Sequence, residues 1–401
     1  MRIIQIHNRY RSAVPSGENR VADSEAAALS GLGHEVVRFE RGNDEIDGWS
    51  RARRAALPAR VMWSRETYQG LAAELRARRP DVVHVHNTFP LLSVSVLYAC
   101  RDMGVPVVAT LHNYRLACPG GDFFREGAVC YDCAGRLPLP GAIHGCYQGS
   151  RAATGTLALE ISAHRRAWRS LVSAYVFVSA AQRDLLAALR FDPQRVFVRH
   201  NLVSAGPGRS AADRGEQPIV VYAGRLDEAK GIRLMIAGWD AYLASSRTRR
   251  LRLVIAGTGP LERELASWAS ERSSVELVGQ LDSAACTALI AGADAMLVPS
   301  AWQEPFGLVV VEAMAAGVPP VAAGHGSLPE LIADGVDGVL FAPGNPMALG
   351  AVLADVESRP EHYEAMGRQA RESYEKRFDP QRNLDQLAEI YRFAISNRVR
   401  A

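Results

Sequence analysis

Glu304 and Glu312 stand eight positions apart in Glu304-Pro305-Phe306-Gly307-Leu308-Val309-Val310-Val311-Glu312, a segment that continues as Ala313-Met314-Ala315-Ala316-Gly317. A proline and a glycine in front, an apolar run and a closing glycine read as a loop feeding a short helix. Were the stretch mostly helical, its carboxylates would lie about 12 Å apart along the axis. A glycosidase pair must straddle one bond at roughly 5 to 9.5 Å, so these two suit hydroxyls at separate ends of one long ligand. A nucleotide-sugar has that length, and unpaired N–H groups at a helix start suit the diphosphate in between. The competing reading is a surface helix with a Glu before its first turn and another inside it.

A second constellation is Tyr222-Ala223-Gly224-Arg225-Leu226-Asp227-Glu228-Ala229-Lys230-Gly231, a strand running into a glycine turn with Arg and Lys five positions apart. A guanidinium fork and an ammonium converging on a leaving diphosphate would stabilise its charge as the glycosidic bond breaks. The rival is an ordinary basic turn. Against it, Lys230 and Lys376 are the chain's two lysines, all other basic residues being arginine. A chain that uses Arg almost everywhere keeps a compact point charge here.

Weaker signals sit at other strand ends. Ser16-Gly17-Glu18-Asn19-Arg20 opens a helix to about Ser30 after the first strand, where small residues let a phosphate approach the backbone. Asp81-Val82-Val83-His84-Val85-His86-Asn87 and Thr110-Leu111-His112-Asn113-Tyr114 put imidazoles at the ends of two strands, the side that faces the ligand crevice in an open parallel sheet. His84 and His86 read as structural. Ala256-Gly257-Thr258-Gly259-Pro260 and Val278-Gly279-Gln280-Leu281 follow two further strands.

Together these stretches resemble the retaining, nucleotide-sugar-dependent glycosyltransferases of family 4, with the E-x7-E element at Glu304 and Glu312 and the Gly-Arg-x4-Lys-Gly element at Gly224 to Gly231. The resemblance runs along nearly the whole chain. It implies a GT-B fold: α/β, two Rossmann-like domains with parallel sheets facing a central cleft, the nucleotide on the C-terminal domain and the acceptor on the N-terminal one. It places Arg225 and Lys230 on the diphosphate, Glu304 on sugar hydroxyls, Phe306, Gly307 and Leu308 on phosphates through backbone N–H, and Glu312 on the ribose. Gly224, with Gly279 and Leu281 at the base, completes the donor set. Ser16, in place of the family's first glycine, and Gly17 would pack on the diphosphate from the N-terminal side, and His112 would meet the donor sugar or the acceptor. Arg225, Lys230 and helix N-termini supply the positive charge, so no divalent metal is expected in the chemistry.

Cys118, Cys130, Cys133 and Cys146 form C-x11-C-x2-C-x12-C, with only Cys100 and Cys286 outside it. Four clustered thiols including a CxxC read first as a tetrahedral structural zinc site, with His144 as a substitute ligand. The Pro- and Gly-rich loop between them has little core of its own for anything but a metal to fold. A redox pair at Cys130 and Cys133, disulfides or free thiols are the rivals.

The elements that must carry these residues follow from length and patterning. A chain of 401 residues, 48% apolar with near-balanced charge, suits two α/β domains and excludes a disordered class. Residues 1–201 carry 26 Arg against 18 acids, while the remainder is net acidic. Apolar runs alternating with helical patterns argue for βαβ units. Strands are expected near 2–7, 34–40, 82–86, 105–111, 174–179 and 196–200, then 219–223, 251–256, 275–278, 295–299, 320–322 and 338–341. Past Pro343 the pattern is helical. The expected division is an N-terminal domain at 1–202 with the Cys-rich loop 118–146, a linker at 203–217, a C-terminal domain at 218–380, and a helix at 381–401 crossing back to the first domain.

The start turns polar too soon for a signal peptide and no apolar run spans a bilayer, so a cytoplasmic protein is expected. Trp49 to Arg65, with Arg51, Arg53, Arg54, Arg60, Met62 and Trp63, and His164 to Arg169 mix basic and apolar residues as a membrane-surface helix does. A solvated face over a buried Trp is the competing account. The expected function is transfer of a sugar from a UDP- or GDP-linked donor to a hydroxyl acceptor, lipid-linked in one version, in bacterial polysaccharide or glycolipid assembly. A nucleotide-sugar epimerase and a zinc-stabilised nucleic-acid-binding module are the alternatives. The latter lacks finger spacing and a concentrated basic face.

Overall fold

The computed structural model describes residues 1–13, 16–204, 206, 217–246 and 248–399, so the expected linker at 203–217 falls largely outside the described residues. The chain divides into two compact units. The first contains Met1–Phe123, Cys130–Leu202 and Gln381–Ala401, and the second Phe124–Val129 and Val203–Pro380.

The first unit is built on a six-stranded parallel sheet: β1 (Arg2–Arg9), β2 (Glu35–Gly42), β3 (Val82–Asn87), β4 (Val107–Leu111), then, beyond a two-stranded hairpin of β5 (Phe124–Arg125) and β6 (Ala128–Val129), β7 (Ala174–Phe177) and β8 (Val196–Val198). Its spatial order is β2-β1-β3-β4-β7-β8. The inner strands are continuous apolar runs because helices cover both faces of a parallel sheet. The helix Pro380–Ser396 buries Leu384, Leu387, Ile390, Tyr391 and Ala394, one stripe at helical spacing, against Ile3, Val82, Val108 and Val176.

The second unit repeats the plan with β9 (Ile219–Ala223), β10 (Arg252–Ala256), β11 (Val275–Gly279), β12 (Ala295–Val298), β13 (Pro320–Ala323) and β14 (Val339–Phe341), in the order β11-β10-β9-β12-β13-β14. Strand order reverses between β9 and β12, and between β1 and β3 in the first unit. Such reversals open the crevice where doubly wound sheets hold ligands, outside the strands' carboxyl ends. The closing helices Pro346–Ser358, Pro360–Arg377 and Pro380–Ser396 each begin on a proline, whose missing N–H costs nothing in a first turn.

Trp49 to Arg65 does not form one amphipathic helix. It breaks into Arg51–Ala55 and Leu57–Met62, the second with Pro58 in its first turn. Trp49 is buried beneath the guanidinium groups of Arg53 and Arg60, at 4.4 and 5.1 Å from its ring centroid. Arg41, Arg53 and Arg60 also gather around Glu66. Among the described residues, no helix is long and apolar enough to cross a membrane.

The β9 turn depends on backbone contact that only glycine permits. Gly231 has φ +76°, and a Cβ there would lie 1.9 Å from the Pro299 carbonyl oxygen. Gly231→Ala is therefore expected to cost about 2–5 kcal/mol from strain and overlap. Gly279→Ala, with φ +69° but nothing within 4 Å of the new methyl, should cost only about 1–2 kcal/mol. Urea unfolding of both variants checks this, and equal losses would overturn the close-approach account.

Candidate active site

In the second unit the chain leaves β9 through Gly224 and Arg225 and enters the helix Ile232–Ser245 behind Lys230 and Gly231. The Tyr222 hydroxyl donates to the Arg225 carbonyl at 2.6 Å, which ties the turn to its own strand. Asp227 organises both cations: one carboxylate oxygen accepts the Lys230 backbone N–H at 2.9 Å, and the other pairs with the Arg225 guanidinium at 2.7 Å. Arg225 is half exposed and points its charge outward.

Lys230 Nζ donates to Glu304 Oε1 at 2.6 Å, and Ser300 Oγ donates to the same oxygen at 2.7 Å. Lys230 also lies 5.1 Å from the Trp302 ring centroid. Burial of Glu304 pushes its carboxyl toward the neutral form, but Lys230 overrides this and holds it below the usual carboxylate range. Its backbone is fixed by Ser327, whose N–H donates to the Glu304 carbonyl at 3.1 Å. Lys230 leaves β9 and Glu304 follows β12, so the pair forms where the strand order reverses.

Glu304 to Gly307 is loop, and the helix runs only from Leu308 to Ala316. Glu304 and Glu312 thus belong to different elements, Glu312 in the second turn of the helix. Gly307 caps that helix in a left-handed conformation with no side chain on the first-turn N–H groups. Phe306 is buried, and its carbonyl accepts the Ser327 hydroxyl at 2.8 Å. Further along the same sheet edge, Gly257 donates its N–H to the Gly279 carbonyl at 2.8 Å, and Leu281 follows β11 two positions later. The structure therefore gathers Gly224, Arg225, Lys230, Gly279, Leu281, Glu304, Phe306, Gly307, Leu308 and Glu312 on the carboxyl edge of one sheet.

In the first unit Ser16 caps the helix Gly17–Gly31, its Oγ accepting the Asn19 N–H at 3.3 Å. His112, just past β4, is buried and stacks on His86 with ring centroids 5.2 Å apart and His112 Nε2 2.9 Å from His86 Nδ1. His84 lies between Thr110 and Tyr391, 2.7 Å and 2.8 Å from their hydroxyls. Beneath this row is Glu25, fully buried, with Oε1 2.9 Å from His84 Nδ1 and 3.2 Å from His86 Nε2, and Oε2 2.8 Å from Arg199. Arg199 in turn donates to Asn383 Oδ1 at 2.7 Å. Glu25, His84 and His86 place ligating atoms within 4.8 Å of one another, with Arg199 on the other carboxylate oxygen.

Sequence reasoning missed Glu18, Asn113, Glu25 and Arg199. Asn113 Nδ2 donates to Glu18 Oε1 at 2.8 Å, while Oε2 is buried with no hydrogen-bond partner. Burial pushes the Glu18 carboxyl up against the pull of Asn113 and Arg115. Glu18 and Glu25 are seven positions apart, two turns along one helix face, and that spacing was the available signal. Among the described residues, no disulfide joins any of the six cysteines.

Two tandem Rossmann-like units, each built on a six-stranded parallel sheet, define the GT-B class. Residues 15–206 match Glycosyltransferase Family 4 and residues 209–373 match Glycosyl transferases group 1, so that the two cover most of the chain. The chain belongs to this group 1/family 4 set of glycosyltransferases. It is 28% identical to a glycogen synthase of Mycobacterium tuberculosis over 98% of this chain and 94% of that one. It is also 33% identical to a D-inositol 3-phosphate glycosyltransferase of Segniliparus rotundus over 51% of this chain and 48% of that one. Similar solved structures include sucrose-phosphate synthase from Thermosynechococcus elongatus (TM-score 0.72, 18% identity, 98% and 99% covered) and Anabaena HepE in complex with UDP-glucose (TM-score 0.68, 18% identity, 97% and 100% covered).

Burial, with the neighbouring imidazoles, pushes His7 and His86 down to about 4 and His112 well below the usual histidine range. A histidine kept neutral in the fold binds fewer protons than it does unfolded. Its stabilisation is therefore complete above about pH 6.5 and is lost toward pH 4, by up to about 1.4 kcal/mol per pH unit for each. Urea midpoints are expected to fall steadily once pH drops below about 6.5, and a flat profile down to about pH 5 would overturn the neutral assignment.

Proposed function

We propose that the protein is a retaining glycosyltransferase carrying a sugar from a UDP- or GDP-linked donor to an acceptor hydroxyl. The observation that supports this most is the convergence of Lys230 on Glu304 at the strand-order reversal, beside a helix start with no side-chain cap. An ammonium, a buried carboxylate and first-turn N–H groups match in turn a diphosphate, sugar hydroxyls and phosphate oxygens. In this reading Arg225 and Lys230 take the diphosphate, with Phe306, Gly307 and Leu308 adding backbone donors. Glu304 takes sugar hydroxyls, Glu312 the ribose, and Gly279 and Leu281 frame the base. A relative solved with UDP-glucose supports the donor class.

The acceptor oxygen bonds to the anomeric carbon as that carbon's bond to the diphosphate oxygen breaks. The acceptor proton passes to a leaving phosphate oxygen on the same face, so configuration is kept and no side chain becomes a nucleophile. Arg225 and Lys230 meet the charge that builds on the diphosphate, and turnover is expected without a divalent cation. On the first unit Ser16, Gly17, Glu18, His112 and Asn113 sit at the carboxyl edge of the sheet, where neutral His112 and the buried Glu18 carboxyl suit hydroxyl groups. A lipid-linked acceptor in bacterial polysaccharide or glycolipid assembly would add contact between anionic headgroups and the exposed Arg51 and Arg54.

Thermal shift with UDP, GDP, ADP and their sugar conjugates, with and without magnesium, tests the donor site. One nucleotide is expected to stabilise without metal, by about 2.7 kcal/mol at a hundred times its Kd. Lys230→Ala and Glu312→Ala should each weaken it by about tenfold or more, or about 1.4 kcal/mol. No shift with any nucleotide would overturn the reading, and an inverted anomeric centre in the product would overturn retention alone.

A further inference from the structure

The segment between β4 and the helix Arg151–Ser170 holds four cysteines that the sugar-transfer reading leaves unused, and backbone contacts link them in two pairs. Cys118 sits in a tight turn, its N–H on the Tyr114 carbonyl at 2.8 Å and its carbonyl accepting from Gly121 at 2.9 Å. Its sulfur accepts the Phe123 backbone N–H. The hairpin of β5 and β6 then folds the chain back, so that the Cys130 N–H meets the Phe123 carbonyl at 2.7 Å. Cys118 and Cys130 thus flank the same residue.

Cys133 and Cys146 flank another. Gly141 donates its N–H to the Cys133 sulfur, and its carbonyl accepts the Cys146 N–H at 3.1 Å. A Cβ on Gly141 would lie 3.3 Å from Cys133 Sγ and 3.1 Å from Pro119, the residue after Cys118. One on Gly120 would lie 3.6 Å from the Cys146 carbonyl oxygen. The two cysteine pairs therefore adjoin each other along Pro119, Gly120 and Gly141, with Cys130 and Cys133 joined by the CxxC turn.

From this arrangement we infer that Cys118, Cys130, Cys133 and Cys146 bind one structural zinc ion as four thiolates. Backbone N–H groups aimed at sulfur stabilise a thiolate and do little for a thiol. Binding zinc would release four protons and leave a site of charge −2 that those N–H groups screen. Four sulfurs leave no open position, so the ion would not take part in catalysis. His144, which begins outside the cysteine turns, is exposed and is not needed as a ligand. The segment has reason to need a metal. Its regular structure amounts to a two-residue-per-strand hairpin and the helix Leu139–His144, and Tyr114 and Phe123 are its fully buried large side chains.

The test uses the purified full chain and does not depend on the donor reading. Elemental analysis should find one zinc per chain, released by a mercurial in proportion to four thiols. Cobalt(II) exchange should give the visible bands and thiolate charge transfer of a tetrahedral tetrathiolate site. Cys118→Ser and Cys133→Ser should each lose the metal and admit protease within residues 113–150, whereas Cys100→Ser should retain zinc. Nucleotide-induced thermal shift should survive zinc removal, which separates failure here from failure of the donor site. Iron with acid-labile sulfide, a Cys130 to Cys133 disulfide, or six reactive thiols with no bound metal would each overturn the proposal.

Discussion

A carboxylate taken out of water must be given a cation, and the two units of this chain each place such a pair where it matters. In the first, Glu25 is held by Arg199, and the pair draws together the first helix, the segment after β8 and, through Asn383, the closing helix. In the second, Glu304 is held by Lys230, and the pair joins the turn after β9 to the loop after β12. Removing one partner of such a pair leaves a buried charge uncompensated, typically at a cost of about 3–5 kcal/mol. That penalty gives these contacts their hold over the surrounding loops.

The two pairs differ in what they leave available. Glu25 has no exposed surface, and it is bracketed by His84 and by His86, whose imidazole burial keeps neutral, so its role is to fix the row that ends at His112. Lys230 is about one quarter exposed, and its carboxylate partner carries a second hydrogen bond from Ser300. An ammonium in that position can share itself with an incoming anion without first abandoning Glu304. Arg225, paired with Asp227, is half exposed in the same turn after β9. Positive charge is thus held ready by acidic residues that also fix its direction.

Parallel sheets dictate where this chemistry sits. Their strands end in loops along one edge, and the reversals at β1/β3 and β9/β12 keep neighbouring loops apart enough to admit a ligand. The structure uses that edge twice, with glycine where two loops must touch. The Cys-rich segment follows β4 and His112 directly.

The twelve principal strands were legible from sequence because inner parallel strands are unbroken apolar runs bounded by turns; observed ends differ by a few residues at most, as with β4, which begins at Val107 rather than Val105. The hairpin of β5 and β6 was not, since two residues per strand carry no period. The residues that follow the strands of the second sheet were legible because each lies within a short contiguous motif after a strand. Glu25 and Arg199 were invisible for the opposite reason: they are 174 positions apart, and a lone Glu on a helix and a lone Arg after a strand each read as solvated. Composition and spacing determined the two-unit architecture and the motif loops. Only tertiary packing decided which charges are buried and which cation answers each carboxylate, because desolvation is a property of the space around a side chain and not of its neighbours in sequence.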